Sequence, residues 1–331
     1  VLVLSAADVR KSVTMLEAIE AVQAAYQEYS AGESVVPLRV PVNVPKYEGV
    51  TLFMPGYSSR SDAVGVKIVS VYPKNLEKGI PTIHGLVVMV DGTTGKPVAA
   101  MEAGYLTALR TGAASGVATR YLARDDASTA VVIGTGAQAR TQLLAICTVR
   151  RIKKVLVYDL NEDMAAAYAG EMAAILAELY GKRITVKPVS SSKKAVAEAD
   201  IIVAATTSKL PVISADDLKN GVHINGVGSF TPEMQEIGED TVLLAGKIVA
   251  DSREAVLAEA GDIVIPLKKG LLKPDSIVEI GDVIAGKIPG RENNHEITFF
   301  KTVGMALLDV AVGNLVYQKA LEKGLGQKVS L

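Results

Sequence analysis

The apolar positions change their spacing along this chain, and each change predicts a different kind of element. Ser5 is placed to cap a short helix over residues 6–11, and Thr14 a longer one. In the longer helix Leu16, Ile19, Ala21, Val22, Ala25, Tyr26 and Tyr29 keep helical spacing until Gly32 stops it. Strand-like segments follow over 35–44, 50–54, 63–71, 83–90 and 97–101. Pro37, Pro41 and Pro45 confine the first of these to a sheet edge or a curved sheet. The last two join through Asp91-Gly-Thr-Thr-Gly95, a hairpin with glycine in its turn. This part reads as a mostly antiparallel sheet with helices, an α+β pattern.

A helix rich in small residues follows over 105–123, with Ala108, Gly112, Ala113, Ala114, Ser115, Gly116 and Ala118 among them. So many small side chains let another backbone approach closely, whether a helix or a bound cofactor. After a polar link at 124–128 the pattern becomes α/β. Short apolar runs near 130–133, 155–158, 184–188, 199–206, 222–226 and 247–251 suit strands buried on both faces, as parallel sheets require. Five or six such strands make a Rossmann domain. The final helix, read over 299–323, is longer than the local fold needs and suits a return to the first domain. The predicted division is 1–123 plus 300–331 as one domain, with an α/β Rossmann domain over 124–299 inserted in it.

Within that domain, Gly134-Thr-Gly-Ala-Gln-Ala139 lies between the first strand and a helix over 138–149. Gly134, Thr135 and Gly136 give a tight turn with no bulky side chain against a ligand. Ala137 and Gln138 lead into the helix, whose N-terminal N–H groups and dipole favour a pyrophosphate. The next strand ends in Asp159, where a carboxylate holds the ribose hydroxyls of a dinucleotide. The GTGAQA turn is a weak motif alone; strand, turn, helix, strand and acid in that order strengthen it. A plain βαβ unit whose glycines only turn the chain is the competing reading. Asp159 would repel a 2′-phosphate, so NADH is preferred, with NADP not excluded. Thr111 on the small-residue helix, Ala205, Thr206 and Thr207 after a later strand, and Gly228 after the next complete the expected cofactor set.

Composition narrows the field. The 331 residues suffice for about two domains, and a formal charge of −1 with no basic stripe argues against nucleic acid. The single Cys147 falls among apolar helix positions and reads as core. His84, His223 and His295 are scattered, so no metal site is expected. Residues 1–4 are soon followed by Asp8, Arg10 and Lys11, and no apolar run approaches a membrane span. The expected setting is cytoplasmic.

Three cations sit in apolar company: Arg39 between Leu38 and Val40, Lys67 inside Val64-Gly-Val-Lys-Ile-Val69, and Arg110 in Thr107-Ala-Leu-Arg-Thr111. A buried cation needs an anion. The functional reading is a substrate carboxylate gripped by two guanidiniums, with Lys67 as proton donor. The plainer reading is strand positions facing water, or pairs with local acids.

Val64-Gly-Val-Lys67, Leu86-Val-Val-Met-Val-Asp91 through Gly95, Thr107 to Ala114, GTGAQA, Asp251-Ser-Arg-Glu-Ala255 and Phe300-Lys-Thr-Val-Gly304 resemble the ornithine cyclodeaminase/μ-crystallin family over nearly the whole chain. The resemblance implies a two-domain homodimer whose first domain binds substrate and dimerises, and a dinucleotide beside a small imino or amino acid. By it, Arg39, Lys67 and Arg110 match carboxylate-binding and catalytic positions, Thr82 lies near substrate, and Val303 and Gly304 line the pocket. Cyclodeaminases of the family carry an acid in the loop that here reads Gly228-Ser-Phe-Thr-Pro232. Phe230 stands in its place; neither Ser229 nor Thr231 is an acid, and Glu233 is the nearest carboxylate. A phenyl ring cannot manage ornithine's second amine but suits ring methylenes. The expectation is an NAD(P)H-dependent reductase converting Δ1-pyrroline-2-carboxylate to proline, or the related alanine dehydrogenase reaction. Ornithine cyclodeamination and a low-turnover ligand-binding role like that of μ-crystallin are the alternatives.

Overall fold

A computed structural model describes residues 1–181 and 184–330. The chain divides into two compact units, Val1–Arg110 with Met305–Leu331, and Thr111–Gly304. The expected domain limits at 123 and 300 differ from these unit limits at 110 and 305, the first lying beyond the small-residue helix that the units divide.

The first unit runs β1 (Leu2–Leu4), α1 (Ala6–Ser12), α2 (Met15–Ser30), β2 (Val40–Val44), β3 (Gly49–Ser58), β4 (Ala63–Val71), β5 (Ile83–Asp91), β6 (Pro97–Glu102) and the start of α3 (Ala103–Leu122). Both early helices begin with capping boxes, Ser5 with Asp8 and Thr14 with Glu17. The seven-stranded sheet has the order β15-β1-β6-β5-β4-β3-β2, where β15 (Gln327–Lys328) returns from the C-terminus. Pairing is antiparallel except between β1 and β6. The proline-bearing segment is shorter than expected: β2 is an edge strand, and Val35 makes only an isolated bridge to Tyr57.

The second unit continues with β7 (Thr129–Ile133), α4 (Ala139–Val149), β8 (Lys154–Tyr158), α5 (Glu162–Tyr180), β9 (Thr185–Pro188), α6 (Ser192–Glu198), β10 (Ile201–Ala204) and β11 (His223–Gly226). It closes with α7 (Glu239–Leu244), β12 (Lys247–Ala250), α8 (Arg253–Glu259), α9 (Gly261–Lys268), β13 (Ile277–Glu279), α10 (Ile280–Ile284) and β14 (Thr298–Lys301). Its eight strands, all parallel, run β13-β12-β14-β11-β10-β7-β8-β9. Alternate residues of one strand enter different cores: Val131 and Ile133 pack on one face, Ala130 and Val132 on the other. Both faces are apolar, which is why these strands read as continuous runs.

The sequence reading gave five or six strands here; β13 and β14 are the additions. Residues 299–301 were expected to begin the last helix. Instead Phe299 and Phe300 are fully buried in β14, Gly304 turns the chain at φ 77°, and α11 (Ala306–Lys323) starts beyond it. A four-residue apolar run cannot be told from helix by periodicity. Cys147 is buried, which pushes its thiol up to about 12 and suits a core residue. Among the described residues no helix is long and apolar enough to cross a membrane.

The small residues of α3 have a local reason at Gly112. A Cβ there would lie 2.5 Å from the Thr141 carbonyl oxygen of α4. Gly112→Ala should therefore lower stability by about 1–3 kcal/mol, read from the urea midpoint, despite alanine's better helix propensity.

Candidate functional site

In the first unit, the strand pairing puts Lys67 in a row with Met54, Val87 and Met101, all buried. Helix α11 lies over β3 and β4 on this face: a Cβ on Gly56 or Gly65 would touch Val310. One turn of that helix places Asp309 among the cations. Its Oδ2 is 2.7 Å from Lys67 Nζ and its Oδ1 accepts Arg110 Nε–H at 3.0 Å. All three side chains are at least nine-tenths buried. Burial lowers the Lys67 pKa most, and the Arg110 charge adds to that. Asp309 pulls the other way and Arg39 again lowers it, leaving the amine at about 8. A lysine so poised can give up a proton near neutral pH, which an exposed lysine does poorly.

The structure thus brings Lys67 and Arg110 together, with the half-buried Arg39 close enough for its charge to be felt. Asp309 is the residue that sequence reading missed; the only signal was an acid among the apolar positions of the last helix. Thr82 lies in the link before β5, its carbonyl accepting the Tyr72 N–H at 2.8 Å. Phe230, Val303 and Gly304 belong to the second unit.

In the second unit the strand order reverses at β7, whose neighbours are β8 and β10. Loops at the carboxyl ends of strands flanking such a switch form the usual ligand crevice of open parallel sheets. The turn Gly134–Gln138 follows β7, and Ala205, Thr206 and Thr207 follow β10. Gly134 has φ 88°, and a Cβ on it would lie 2.7 Å from the Ala205 carbonyl oxygen, so only glycine fits. Gly136 is exposed, and a Cβ there would meet nothing within 4 Å. That leaves open backbone at the start of α4, as a pyrophosphate requires.

Asp159, at the tip of β8, has one oxygen accepting the Thr135 N–H (2.9 Å) and hydroxyl (2.7 Å), and the other the Asn161 N–H (3.0 Å). Burial raises its pKa, but the bonds from Asn161 and Thr135 outweigh this and hold the carboxylate below its ordinary value. The oxygen facing Asn161 accepts one bond and keeps a lone pair for a ribose hydroxyl, whereas the other is taken twice by Thr135. Turn, helix start and ionised acid together fit a dinucleotide, and the acid disfavours a 2′-phosphate. Thr111 is buried within α3.

After β14, Val303 and Gly304 are fixed by Asp251 at the end of β12. One carboxylate oxygen accepts the Thr302 hydroxyl (2.6 Å) and the N–H groups of Val303 (3.1 Å) and Gly304 (2.7 Å). After β11, Ser229 is buried while Phe230 is 43% exposed; Glu233 is exposed too.

The model of the ornithine cyclodeaminase/mu-crystallin family matches residues 1–324. The chain is 44% identical over 329 residues to a Δ1-pyrroline-2-carboxylate reductase of Bacillus cereus, covering 99% of both chains. Among solved structures it is similar to the Thermococcus litoralis Δ1-pyrroline-2-carboxylate reductase in complex with NADH and L-proline. That match has a TM-score of 0.94 and 45% identity, covering 99% of this chain and 100% of the other. An archaeal alanine dehydrogenase dimer with bound NAD matches with a TM-score of 0.89 and 35% identity, covering 99% and 98%.

Removing the Asp309 charge leaves two buried cations facing each other. Asp309→Asn should cost about 3–5 kcal/mol of folding stability, measured by chemical denaturation, whereas Lys67→Met should cost less because Arg110 still balances the aspartate.

Proposed function

The chain belongs to the ornithine cyclodeaminase/mu-crystallin family, and from that premise we propose that it is an NADH-dependent reductase of a small cyclic imino acid, Δ1-pyrroline-2-carboxylate, yielding L-proline. The observation that carries this reading is buried Lys67, its amine held at about 8 against one oxygen of Asp309 while Arg110 takes the other. It offers a proton donor beside guanidinium charge. Arg110 and Arg39 hold the substrate carboxylate, the forked guanidinium matching its two oxygens. Lys67 gives its proton to the ring nitrogen. Bound NADH supplies the hydride that the imine carbon accepts. Between turnovers Lys67 takes a proton from solvent, and the Asp309 carboxylate favours that charged form and keeps Arg110 oriented. Gly134, Thr135, Gly136, Ala137 and Gln138 take the pyrophosphate, and Asp159 the ribose. Ala205, Thr206, Thr207, Gly228 and Thr111 complete the cofactor's surroundings. Thr82, Val303 and Gly304 border the substrate, and Phe230 presents its ring to the substrate methylenes.

The similarity to a Δ1-pyrroline-2-carboxylate reductase with NADH and proline supports the substrate class. A second reading, interconversion of alanine with pyruvate and ammonia, is favoured by the 35% identical alanine dehydrogenase. Ornithine cyclodeamination lacks its acid where Phe230 stands.

The working unit of this proposal is a cytoplasmic homodimer. Across the first unit's sheet, Val40 pairs with Phe53, Phe53 with Ile68, and Ile68 with Leu86, so these four share one face. Val40 is 53%, Phe53 36% and Leu86 42% exposed, and Val42 lengthens the apolar row. A contiguous apolar face of this kind suits a second copy of the chain; the alanine dehydrogenase relative is a dimer.

Substrate, pH and variant measurements test the proposal. With Δ1-pyrroline-2-carboxylate, NADH absorbance should fall rapidly, more slowly with pyruvate and ammonium, and ornithine should give no proline. The reductive kcat/KM should decline as pH rises through about 8, because neutral Lys67 has no proton to give. Lys67→Met should lose about 10²–10⁴-fold in kcat with NADH binding unchanged. Formation of proline from ornithine without net NADH change would replace this reading with cyclodeamination. For the assembly, Phe53→Asp should shift the sedimentation coefficient from dimer towards monomer; a wild-type monomer would rule the dimer out.

A further inference from the structure

A buried charged cluster stands behind the loops that follow β10 and β11, and the mechanism above makes no use of it. Glu236, Asp262 and Lys301 are fully buried. Lys301 Nζ lies 2.9 Å from Asp262 Oδ2. The other oxygen of Asp262 accepts the backbone N–H groups of Glu236 (2.7 Å) and Ile237 (3.0 Å), which fixes the backbone from which Glu236 projects. The Glu236 carboxylate then joins two loops. Its Oε1 accepts the Thr206 N–H at 2.5 Å, and its Oε2 accepts the N–H groups of Gly228 (2.5 Å) and Ser229 (3.0 Å).

Close packing carries this linkage to the glycine turn. A Cβ on Gly228 would collide with the Thr206 backbone and lie 2.6 Å from Glu236 Oε2. A Cβ on Gly134 would lie 2.8 Å from Thr206 Cγ2. Glu236, Gly228, Thr206 and Gly134 therefore form one stack without slack. Three amides on one carboxylate is more than folding demands, since water could satisfy loop amides at far less desolvation cost. Burial indeed pushes the Glu236 carboxyl up, with Lys301 opposing and Asp262 reinforcing the rise.

We propose that Glu236 is a positioning residue for dinucleotide binding, setting the spacing of Thr206 and Gly228 and, through Thr206, the seat of the Gly134 turn. Asp262 and Lys301 hold Glu236 in place. The proposal rests on the reading that this turn takes NADH, but not on the identity of the imino acid.

The test is direct NADH binding to the full chain, followed by the cofactor's own fluorescence, since the protein has no Trp. Glu236→Gln keeps the side chain's length while removing its charge and one acceptor. Its NADH dissociation constant should rise about tenfold, while kcat at saturating NADH and the KM for the imino acid move far less. Unchanged NADH affinity in a folded variant would overturn the proposal. Amide hydrogen exchange on the wild type decides the matter if the variant does not fold. The Thr206, Gly228 and Ser229 amides should be protected without NADH and further protected with it. Rapid exchange there, or protection that NADH leaves unchanged, would overturn the proposal. A wild type that binds NADH without reducing the imine would instead sink the proposed substrate and leave Glu236 its role.

Discussion

The first unit depends on one carboxylate. Lys67 and Arg110 are both buried, and neither strand β4 nor helix α3 supplies an acid to balance them; Asp309 does, from the far end of the chain. Burying two cations against one anion is tolerable only with short, well-directed contacts. This constrains the topology. The chain must leave the first unit for almost two hundred residues and come back with α11 in one rotational setting. In that setting Val310 covers Gly65 while Asp309 points at Lys67. The glycines at 56 and 65 then have a mechanical meaning: they let the helix approach closely enough for its acid to reach the strand. The net positive charge left over at the cluster is what a substrate carboxylate would neutralise.

The second unit meets a different constraint with the same chemistry. Eight parallel strands end in loops on one edge of the sheet, and their amides have no strand partners. Buried or half-buried carboxylates collect them. Asp159 takes amides of Thr135 and Asn161, Asp251 those of Val303 and Gly304, and Glu236 those of Thr206, Gly228 and Ser229. Each acid arrests a loop that the sequence reading or the family resemblance expects beside cofactor or substrate. A negatively charged ligand near so many acids needs them to be occupied by N–H groups rather than exposed, and they are.

What the sequence made legible follows from local physics. Lys67 and Arg110 announced themselves because a cation inside an apolar run has no local reason to be there. Asp159 was readable because its place, at the end of the second strand after a glycine turn, is set by βαβ geometry. Asp309 was not, since its partners are remote in sequence and an acid on a long helix usually faces water. Glu236 was hidden because its partners are loop amides, which no side-chain pattern announces; Glu233 drew attention only by lying nearer Phe230. The strands β1, β13, β14 and β15 are two to four residues long. Runs so short have no period to read, and only pairing defines them.

The clamped loop after β11 bears on how one scaffold serves several reactions. Its backbone at Gly228 and Ser229 is fixed by Glu236, and the Ser229 hydroxyl is spent on the Met234 carbonyl at 2.8 Å. The next side chain, Phe230, is largely free of packing duty at 43% exposure. A residue in that situation can be exchanged for one of different chemistry with little effect on folding, because the hydrogen bonds that hold the loop belong to its neighbours. Under the proposed assignment, that is where an acid would serve a second amine and a phenyl ring serves ring methylenes. Lys67, Asp309 and Arg110 enjoy no such freedom: losing Asp309 strands two buried cations, and losing either cation removes a group that the proposed reaction uses. Substrate choice would then vary at the clamped loop while the proton donor and its partners stay fixed.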